Sequence, residues 1–474
     1  MIDAQRARSR VREAGGVELL DRLDHLDATR TARGRQEVAP PPPEPGASVD
    51  FDVVIAGGGL WSLLAPLLAA RGLRVAVVDR ARIGQSHREW NASGPELQAL
   101  VRVGLADEPT IHRWVVARYA RGICRFDGGR SYAVEGVLDH AVDAGALLAY
   151  GRWLAERRGV TLLDGHTVLS HGSGRDAVRL RLRTRAGELD LVARCLVDAR
   201  GAASPYATAD LVCPTVGGVV SGLAAGDADD EVDADTGEIL ATADGVEAGR
   251  QHVWEAFPGR PGETTVYLFY YAHRDEPVSL ATLFARFFST LPTYKRGQAR
   301  LLRPTFGLIP GWSRLSSAPR APDRRVVLVG DAAARHSPLT CCGFGATLRS
   351  LDRSATAIAE VAAGRPIDDA CIVDDAPVHS VTGALARVMA SRRFRGAELN
   401  ALLDVAFATL ADMGEDAYGR LLRDEIPPGD VIRFLRRTAA RHPAVWRHVL
   451  RVLGPRNATR WGLGIARSML RASH

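Results

Sequence analysis

Apolar positions along the chain fall into helical, strand-like and broken stretches, and their order predicts most of the elements. In residues 1–37, Val17, Leu19, Leu20, Leu23 and Leu26 recur at helical spacing among Arg and Asp, which predicts one or two short amphipathic helices. The run Ala39-Pro40-Pro41-Pro42-Pro43-Glu44-Pro45-Gly46 then breaks every period. Proline fixes φ and lacks an N–H, so residues 38–50 read as a semi-rigid polyproline linker between modules. A plain spacer accounts for it, and a site for a proline-reading partner is the alternative.

Phe51-Asp52-Val53-Val54-Ile55-Ala56 is a β-branched strand and Gly57-Gly58-Gly59-Leu60-Trp61-Ser62 a glycine turn. Leu63 to Ala70 is a helix ended by Gly72, and Arg74-Val75-Ala76-Val77-Val78-Asp79 a second strand. Strand, glycine turn, helix, strand and acid, with Asp79 lying 20 residues after Gly59, is the dinucleotide-binding βαβ pattern. In it Gly57 makes the tight turn, and Gly59 lets the backbone approach a pyrophosphate at a helix N-terminus. Ser62 stands where a third glycine is usual, and Asp79, followed by Arg80, is placed to hold a ribose. Pro66 is expected to kink the helix.

Further on, Gly159 to Leu163 reads as a strand and Val178 to Leu191, alternating with arginines, as a hairpin. Cys195-Leu196-Val197-Asp198-Ala199-Arg200-Gly201-Ala202-Ala203-Ser204 is a strand running into a turn. Arg325 to Val329 is another strand, which delivers Gly330-Asp331, a loop through His336 and Pro338, and a helix from Gly343-Phe344-Gly345.

The chain has 474 residues with 46% hydrophobic and 24% charged, enough for two domains or one elaborated domain, and unlike a disordered, collagenous or mini-protein sequence. Net charge is +6, but Lys295 is the only lysine among 61 Lys+Arg, a bias of a GC-rich bacterial genome rather than of a partner. Six cysteines without paired C-x-x-C spacing give neither a metal site nor a disulfide scaffold, and the expected compartment is a reducing cytoplasm. The N-terminus has no apolar signal region, and no run approaches the ~20 apolar residues of a membrane span. From Val431 to His474 there are ten arginines and no Asp or Glu, interleaved with Phe434, Trp446, Leu450, Trp461 and Leu463. Such helices suit an anionic membrane surface on the inner face, or else form a cap packed on the cofactor domain. Without a nucleic-acid fold signature, nucleic acid is not an expected partner.

The Asp198 to Ser204 and Gly330-Asp331 segments resemble the D-G and G-D segments of flavoproteins of the p-hydroxybenzoate hydroxylase type. That resemblance implies FAD, with Asp198 and Gly201 beside it, Asp331 on the ribityl chain, and Pro338, Gly343, Phe344 and Gly345 around the isoalloxazine. Gly59 and Gly330 lie 271 residues apart, in the order that family requires. The implied architecture is α/β: a Rossmann-like FAD domain (51–205 and 301–365), an inserted mixed-sheet substrate domain (206–300) and a C-terminal helical, basic region (366–474). With no second dinucleotide motif, the electron donor, NAD(P)H being the candidate, must act from outside or bind transiently.

Ser337-Pro338-Leu339-Thr340-Cys341-Cys342-Gly343-Phe344-Gly345 with Arg349-Ser350-Leu351 looks like a segment of the FAD-dependent lycopene cyclases of green sulfur bacteria, cyanobacteria and plastids. Arg88-Glu89-Trp90-Asn91-Ala92-Ser93 with Glu96-Leu97, Cys213-Pro214-Thr215-Val216-Gly217, and the stretch Gly249 to Gly259 are similar to the same family, from about residue 18 to about residue 360. Cys341-Cys342 and Ala333 to His336 depart from it. The resemblance implies cyclisation of a carotenoid end: a proton adds to a terminal double bond, a neighbouring double bond attacks the cation, and a proton leaves.

Such chemistry needs a carboxylic acid of raised pKa in a dry site. Glu255, in the strand Val253-Trp254-Glu255-Ala256-Phe257, is the acid/base candidate, against a reading in which it faces solvent. His336 is the second candidate, against an exposed loop histidine. Phe269-Tyr270-Tyr271 on the following strand line a cavity or fill a core. A flavin monooxygenase or prenyl-chain reductase acting on a hydrophobic isoprenoid shares all the FAD segments and is the alternative enzyme. A flavin-binding accessory protein of pigment assembly is the non-enzymatic one.

Overall fold

The computed structural model describes residues 2–29, 39–86, 88–207, 209–247, 249–313, 323–333, 339–340, 342–365, 379–394 and 397–472, and arranges them around two large sheets. The run Phe51–Ala56 takes the middle of the first sheet because Val53 to Ala56 bury both faces. Beside it run Val75–Asp79 and Thr161–Asp164 on one flank, and Gly187–Asp198 and Val326–Leu328 on the other, all five parallel. Val178–Thr184 and Thr167–Ser173 add an antiparallel hairpin to the N-terminal half of Gly187–Asp198. Parallel strands align their carboxyl ends, so Ala56, Asp79, Asp164, Asp198 and Leu328 open on one edge, the crevice where doubly wound sheets hold ligands.

Helices Leu64–Ala69, Ala144–Arg157 and Gly343–Ala362 cover one face of this sheet through Leu64, Leu68, Leu147, Leu348, Leu351 and Ile358. On the other face Val54, Ala56, Ala76 and Val78 pack with Val178, Leu180 and Leu182, while Arg179, Arg181 and Arg183 alternate outward.

The second sheet is mixed, in the order Ala272–His273, Leu211–Leu223, Glu263–Phe269, Val253–Pro258, Thr236–Ala241, Arg121–Arg125 and Ser131–Val134, with Gly297–Gly311 also on Leu211–Leu223. It is wider than the expected 206–300 insertion. Short strands 121–125 and 131–134 join it by parallel pairing to 236–241, a long-range contact with no local signature. Trp254, Ala256, Val266 and Leu268 turn to a face covered by helix Leu280–Tyr294 and by the N-terminal helix Ala4–Thr29, which is kinked at Gly16. Val253, Glu255 and Phe257 turn the other way.

Two segments behave differently from their sequence reading. The prolines do not hang free: Arg179 Nε donates to the Pro41 carbonyl at 3.2 Å, and Gly172 lies so close to Pro40 that a Cβ there would be 2.1 Å from its oxygen. The linker is therefore a strap along the hairpin. The C-terminal helices, His379–Met389, Glu398–Ala411, Glu415–Leu422, Pro428–Arg441 and Val445–Ala472, pack Phe407, Tyr418, Leu421 and Phe434 on Tyr119, Phe126, Tyr132 and Val134. Their apolar face thus caps the second sheet and not the cofactor domain. Trp446, Leu450 and Leu463 stay exposed, and no described helix is long and apolar enough to cross a membrane.

The single lysine has a structural explanation. Lys295, 2% exposed, donates to the carbonyls of Asp229 (3.0 Å) and Glu231 (2.6 Å) and to the Glu238 carboxylate, which also accepts from Tyr294 (2.6 Å) and Arg125 (3.2 Å). A compact ammonium with three diverging donors fits these partners, whereas a planar guanidinium does not. Lys295→Met is expected to lower unfolding stability by about 3 kcal/mol, since it strands part of a buried carboxylate, and Lys295→Arg is expected to rescue little of it. Urea denaturation of the three proteins checks this.

Candidate active site

The glycine turn is built by close approach. Gly57 has φ +128°, and a Cβ there would lie 2.4 Å from the Ala199 carbonyl oxygen, so only glycine lets the first strand end against the turn after Asp198. Gly59 is the opposite case: its Cβ position has nothing within 4 Å, an open cradle of the kind a pyrophosphate fills. Asp79 accepts from the N–H groups of Gly58 (2.6 Å) and Ala81 (2.7 Å), which ties the second strand to the turn. The next segment is a 3₁₀ turn, Leu60–Leu63, followed by the short helix Leu64–Ala69. Pro66 therefore sits in a first helical turn, where its missing N–H costs nothing, and does not kink a longer helix. Ser62 is buried at the turn, and its N–H donates to Gly59.

Asp198 is fully buried, and its carboxylate is occupied by Arg200, through both N–H and guanidinium, and by Ser204 Oγ at 2.7 Å. Its work is to shape the turn that sets Gly201 beside Asp331. Gly330 has φ +58°, and a Cβ would come 2.3 Å from Trp61 Nε1. The helix after it begins at Gly343-Phe344, with the Phe344 ring 4.7 Å from that of Trp90. Gly345 leaves room for the buried Glu96 carboxylate, which caps helix Gly94–Arg102 at Ser93 (2.9 Å) and pairs with Arg349.

Gly59, Trp61, Gly201, Asp331, Gly343 and Phe344 line one continuous depression of about 460 Å³, which extends under the second sheet to Glu255. The open cradle at Gly59, at the carboxyl edge of a parallel sheet, fits the pyrophosphate of a dinucleotide, and Glu255 lines the same depression. Phe257, Tyr267, Phe269, Phe306, Ile309 and Trp90 make the inner part mostly apolar.

Glu255 reaches this inner part because alternation along Val253–Pro258 turns it to the cavity while Trp254 is fully buried behind the sheet. It stands opposite Tyr267 on the neighbouring strand. Among the described residues its carboxyl has no hydrogen-bond or ion-pair partner, and desolvation alone pushes its pKa up to about 8. Burial likewise pushes up Tyr267 and Cys342, so the groups facing Glu255 are uncharged at neutral pH. The arrangement sets an acid of raised pKa against the apolar part of the depression.

Of the residues singled out in the sequence, Gly59, Gly201, Asp331, Gly343, Phe344 and Glu255 line this one depression, with Gly57, Ser62, Asp79, Asp198, Gly330 and Gly345 shaping its walls. Arg80 is exposed at the end of the second strand. His336 and Pro338 lie outside the described residues. Phe269 lines the cavity, whereas Tyr270 packs in the core behind the sheet and Tyr271 donates to the Leu339 carbonyl. Tyr267, Thr215, Thr305, Arg22 and Arg88 were missed as lining residues. Period-two alternation through Thr265, Tyr267 and Phe269 carried the signal for Tyr267, but nothing local marked the arginines.

No protein-family model matches the sequence, and no curated protein is similar to it. Among solved structures, a geranylgeranyl bacteriochlorophyll reductase-like protein of Thermoplasma acidophilum superposes with a TM-score of 0.53 at 16% identity, covering 85% of this chain and 98% of that one. The p-nitrophenol 4-monooxygenase PnpA of Pseudomonas putida gives 0.54 at 17%, over 78% and 98%. The halogenase PltM, solved with phloroglucinol and FAD, gives 0.56 at 12%, over 87% and 96%. The chain therefore has the fold of FAD-dependent flavoproteins, as its three sequence segments imply, and this likeness does not single out lycopene cyclases.

A carboxyl with a folded pKa near 8 and an ordinary unfolded value favours folding at low pH, and that advantage is lost as pH rises from about 4.5 to 8. Glu255→Gln removes the liability. It is expected to stabilise the protein by more than ~1 kcal/mol at pH 9 relative to wild type and to change little at pH 5, which denaturation at the two pH values measures.

Proposed function

We propose that the protein is an FAD-dependent oxidoreductase that saturates a carbon–carbon double bond in an apolar, isoprenoid-type substrate, with Glu255 as the proton donor. The observation that carries this reading is the Glu255 carboxyl in the apolar end of the groove, which has no partner among the described residues and whose pKa desolvation pushes up to about 8. FAD, bound and reduced by an external donor such as NAD(P)H, supplies the hydride. Phe257, Phe269 and Phe306 hold the substrate's apolar body and keep water away. The Glu255 Oε–H delivers its proton to the alkene carbon that does not receive hydride, and the resulting carboxylate is reprotonated from solvent between turnovers.

A second reading, carotenoid cyclisation without net redox, is favoured by one arrangement. Trp90 and Asn91 line the cavity, and Glu96 meets Arg349, which brings together the parts of the cyclase-like motifs. The same proton would then start ring closure. A hydrophobic substrate would be collected at an anionic membrane surface, a role supported by exposed Trp446, Leu450 and Leu463 among the C-terminal arginines.

The test is to supply the FAD-loaded, reduced protein with lycopene and with shorter polyprenyl substrates and to record product mass and absorption. A gain of two hydrogens is expected. Unchanged mass with a shorter chromophore would establish the cyclase reading, a gain of one oxygen would make it a hydroxylase, and untouched substrates would sink both readings. Glu255→Gln is expected to lower turnover about 10²–10⁴-fold, with FAD content unchanged.

A further inference from the structure

The short strand Glu89–Ala92 lies against the side of the second sheet that carries Glu255. Glu89 accepts from Thr265 Oγ1 at 2.8 Å through its carboxylate and from the Tyr267 hydroxyl at 3.2 Å through its carbonyl, and Tyr267 is the residue paired with Glu255 across the sheet. Asn91, two residues on, shares the Glu89 face of its strand, and both line the depression together with Glu255 and Phe257.

A second tyrosine holds the Asn91 amide. The Tyr119 hydroxyl donates to Asn91 Oδ1 at 3.2 Å, and the Tyr119 ring lies 6.1 Å from that of Phe257, on the same strand and face as Glu255. Tyr119 is 5% exposed, and burial first, then Asp139 and Glu255, push its pKa well above the usual phenol range. It therefore keeps its proton, which a buried hydroxyl must give to an acceptor, and Asn91 Oδ1 is that acceptor. This fixes which end of the amide faces Tyr119. Nδ2, with two N–H donors and no partner among the described residues, is left to the depression. Two other lining donors are committed: the Tyr267 hydroxyl to the Glu89 carbonyl, and Thr215 Oγ1 to the Cys213 carbonyl at 3.4 Å.

An acid and a fixed amide donor in one cavity suit a particular kind of double bond. A plain alkene has no electronegative atom to take the electron pair that an incoming hydride displaces. A double bond conjugated to a carbonyl puts that pair on oxygen, where a preorganised N–H donor stabilises it.

We propose that the substrate is an α,β-unsaturated carbonyl compound of isoprenoid type, whose carbonyl oxygen accepts from Asn91 Nδ2 while Glu255 protonates its α-carbon. This rests on the reductase reading given above. The β-carbon takes the hydride that reduced FAD supplies, and the displaced π pair moves onto the carbonyl oxygen. The enolate then takes the Glu255 proton at its α-carbon as the carbonyl re-forms, so the substrate gains two hydrogens and two electrons and the flavin is left oxidised. Tyr119 acts as the positioning residue for Asn91.

The experiment supplies full-length, FAD-loaded protein, reduced in the absence of oxygen, with geranial, an isoprenoid enal, and with myrcene, a hydrocarbon of the same carbon number. Flavin reoxidation and product mass are followed, and the carbonyl stretch of geranial bound to the oxidised holoprotein is read by infrared difference spectroscopy. Wild type is expected to add two hydrogens to geranial about 10²-fold faster than to myrcene, and to lower the frequency of the bound carbonyl. Asn91→Leu is expected to cut kcat/KM for geranial about 10²-fold, to weaken its binding about tenfold and to return the carbonyl frequency toward that of free geranial, with FAD content unchanged. Tyr119→Phe, which lets the amide turn, is expected to lower kcat more than it raises KM. Wild-type geranial turnover and carbonyl frequency in Asn91→Leu would overturn the proposal and leave the reductase reading standing, as would myrcene reduced as fast as geranial. If fully FAD-loaded wild type reduces neither compound, the reductase reading falls and this proposal with it.

Discussion

An ionised carboxylate cannot sit unpaired in an apolar cavity without a cost of several kcal/mol, and that cost pushes the Glu255 pKa up to about 8, in favour of the protonated form. Three buried acids of the protein are neutralised differently: Glu96 by Arg349, Glu238 by Lys295 and Arg125, Asp198 by Arg200. Among the described residues no counter-ion pairs with Glu255, which stands opposite Tyr267, and that is what makes the cavity an acid site.

That carboxyl is useful only because the two sheets meet where they do. The carboxyl edge of the parallel sheet supplies a groove through backbone turns that touch: Gly57 against Ala199, Gly330 against Trp61. The second sheet supplies a lid of alternating side chains, one row buried under helix Leu280–Tyr294 and the other facing the groove. A shift of one residue in the register between Val253–Pro258 and Glu263–Phe269 would exchange Glu255 with Trp254 and close the cavity.

Much of this was legible in the sequence because it depends on local rules. The βαβ unit follows from β-branched strands and a glycine turn, and the hairpin at 178–191 from its strict alternation. Glu255 was legible as a desolvated acid from its apolar neighbours, although the neighbour that matters, Tyr267, comes from cross-strand pairing. What was not legible is long-range. Strands 121–125 and 131–134 leave the first domain to join the second sheet, the prolines strap a hairpin, and the C-terminal helices choose the second sheet over the first. None of these partnerships leaves a period or motif in the residues that make them. Arg22 reaches the groove on a helix fixed by the buried Leu23 and by Asp27, which caps a helix more than 250 residues away.

The central claim, that Glu255 carries a proton at neutral pH, is tested most directly by infrared pH-titration difference spectra of wild type against Glu255→Gln. The account predicts a protonated-carboxyl carbonyl band, present in wild type at pH 7, lost with an apparent pKa of about 8 and missing in the variant. A band that disappears in the ordinary carboxylate range, or one that Glu255→Gln leaves in place, would contradict it.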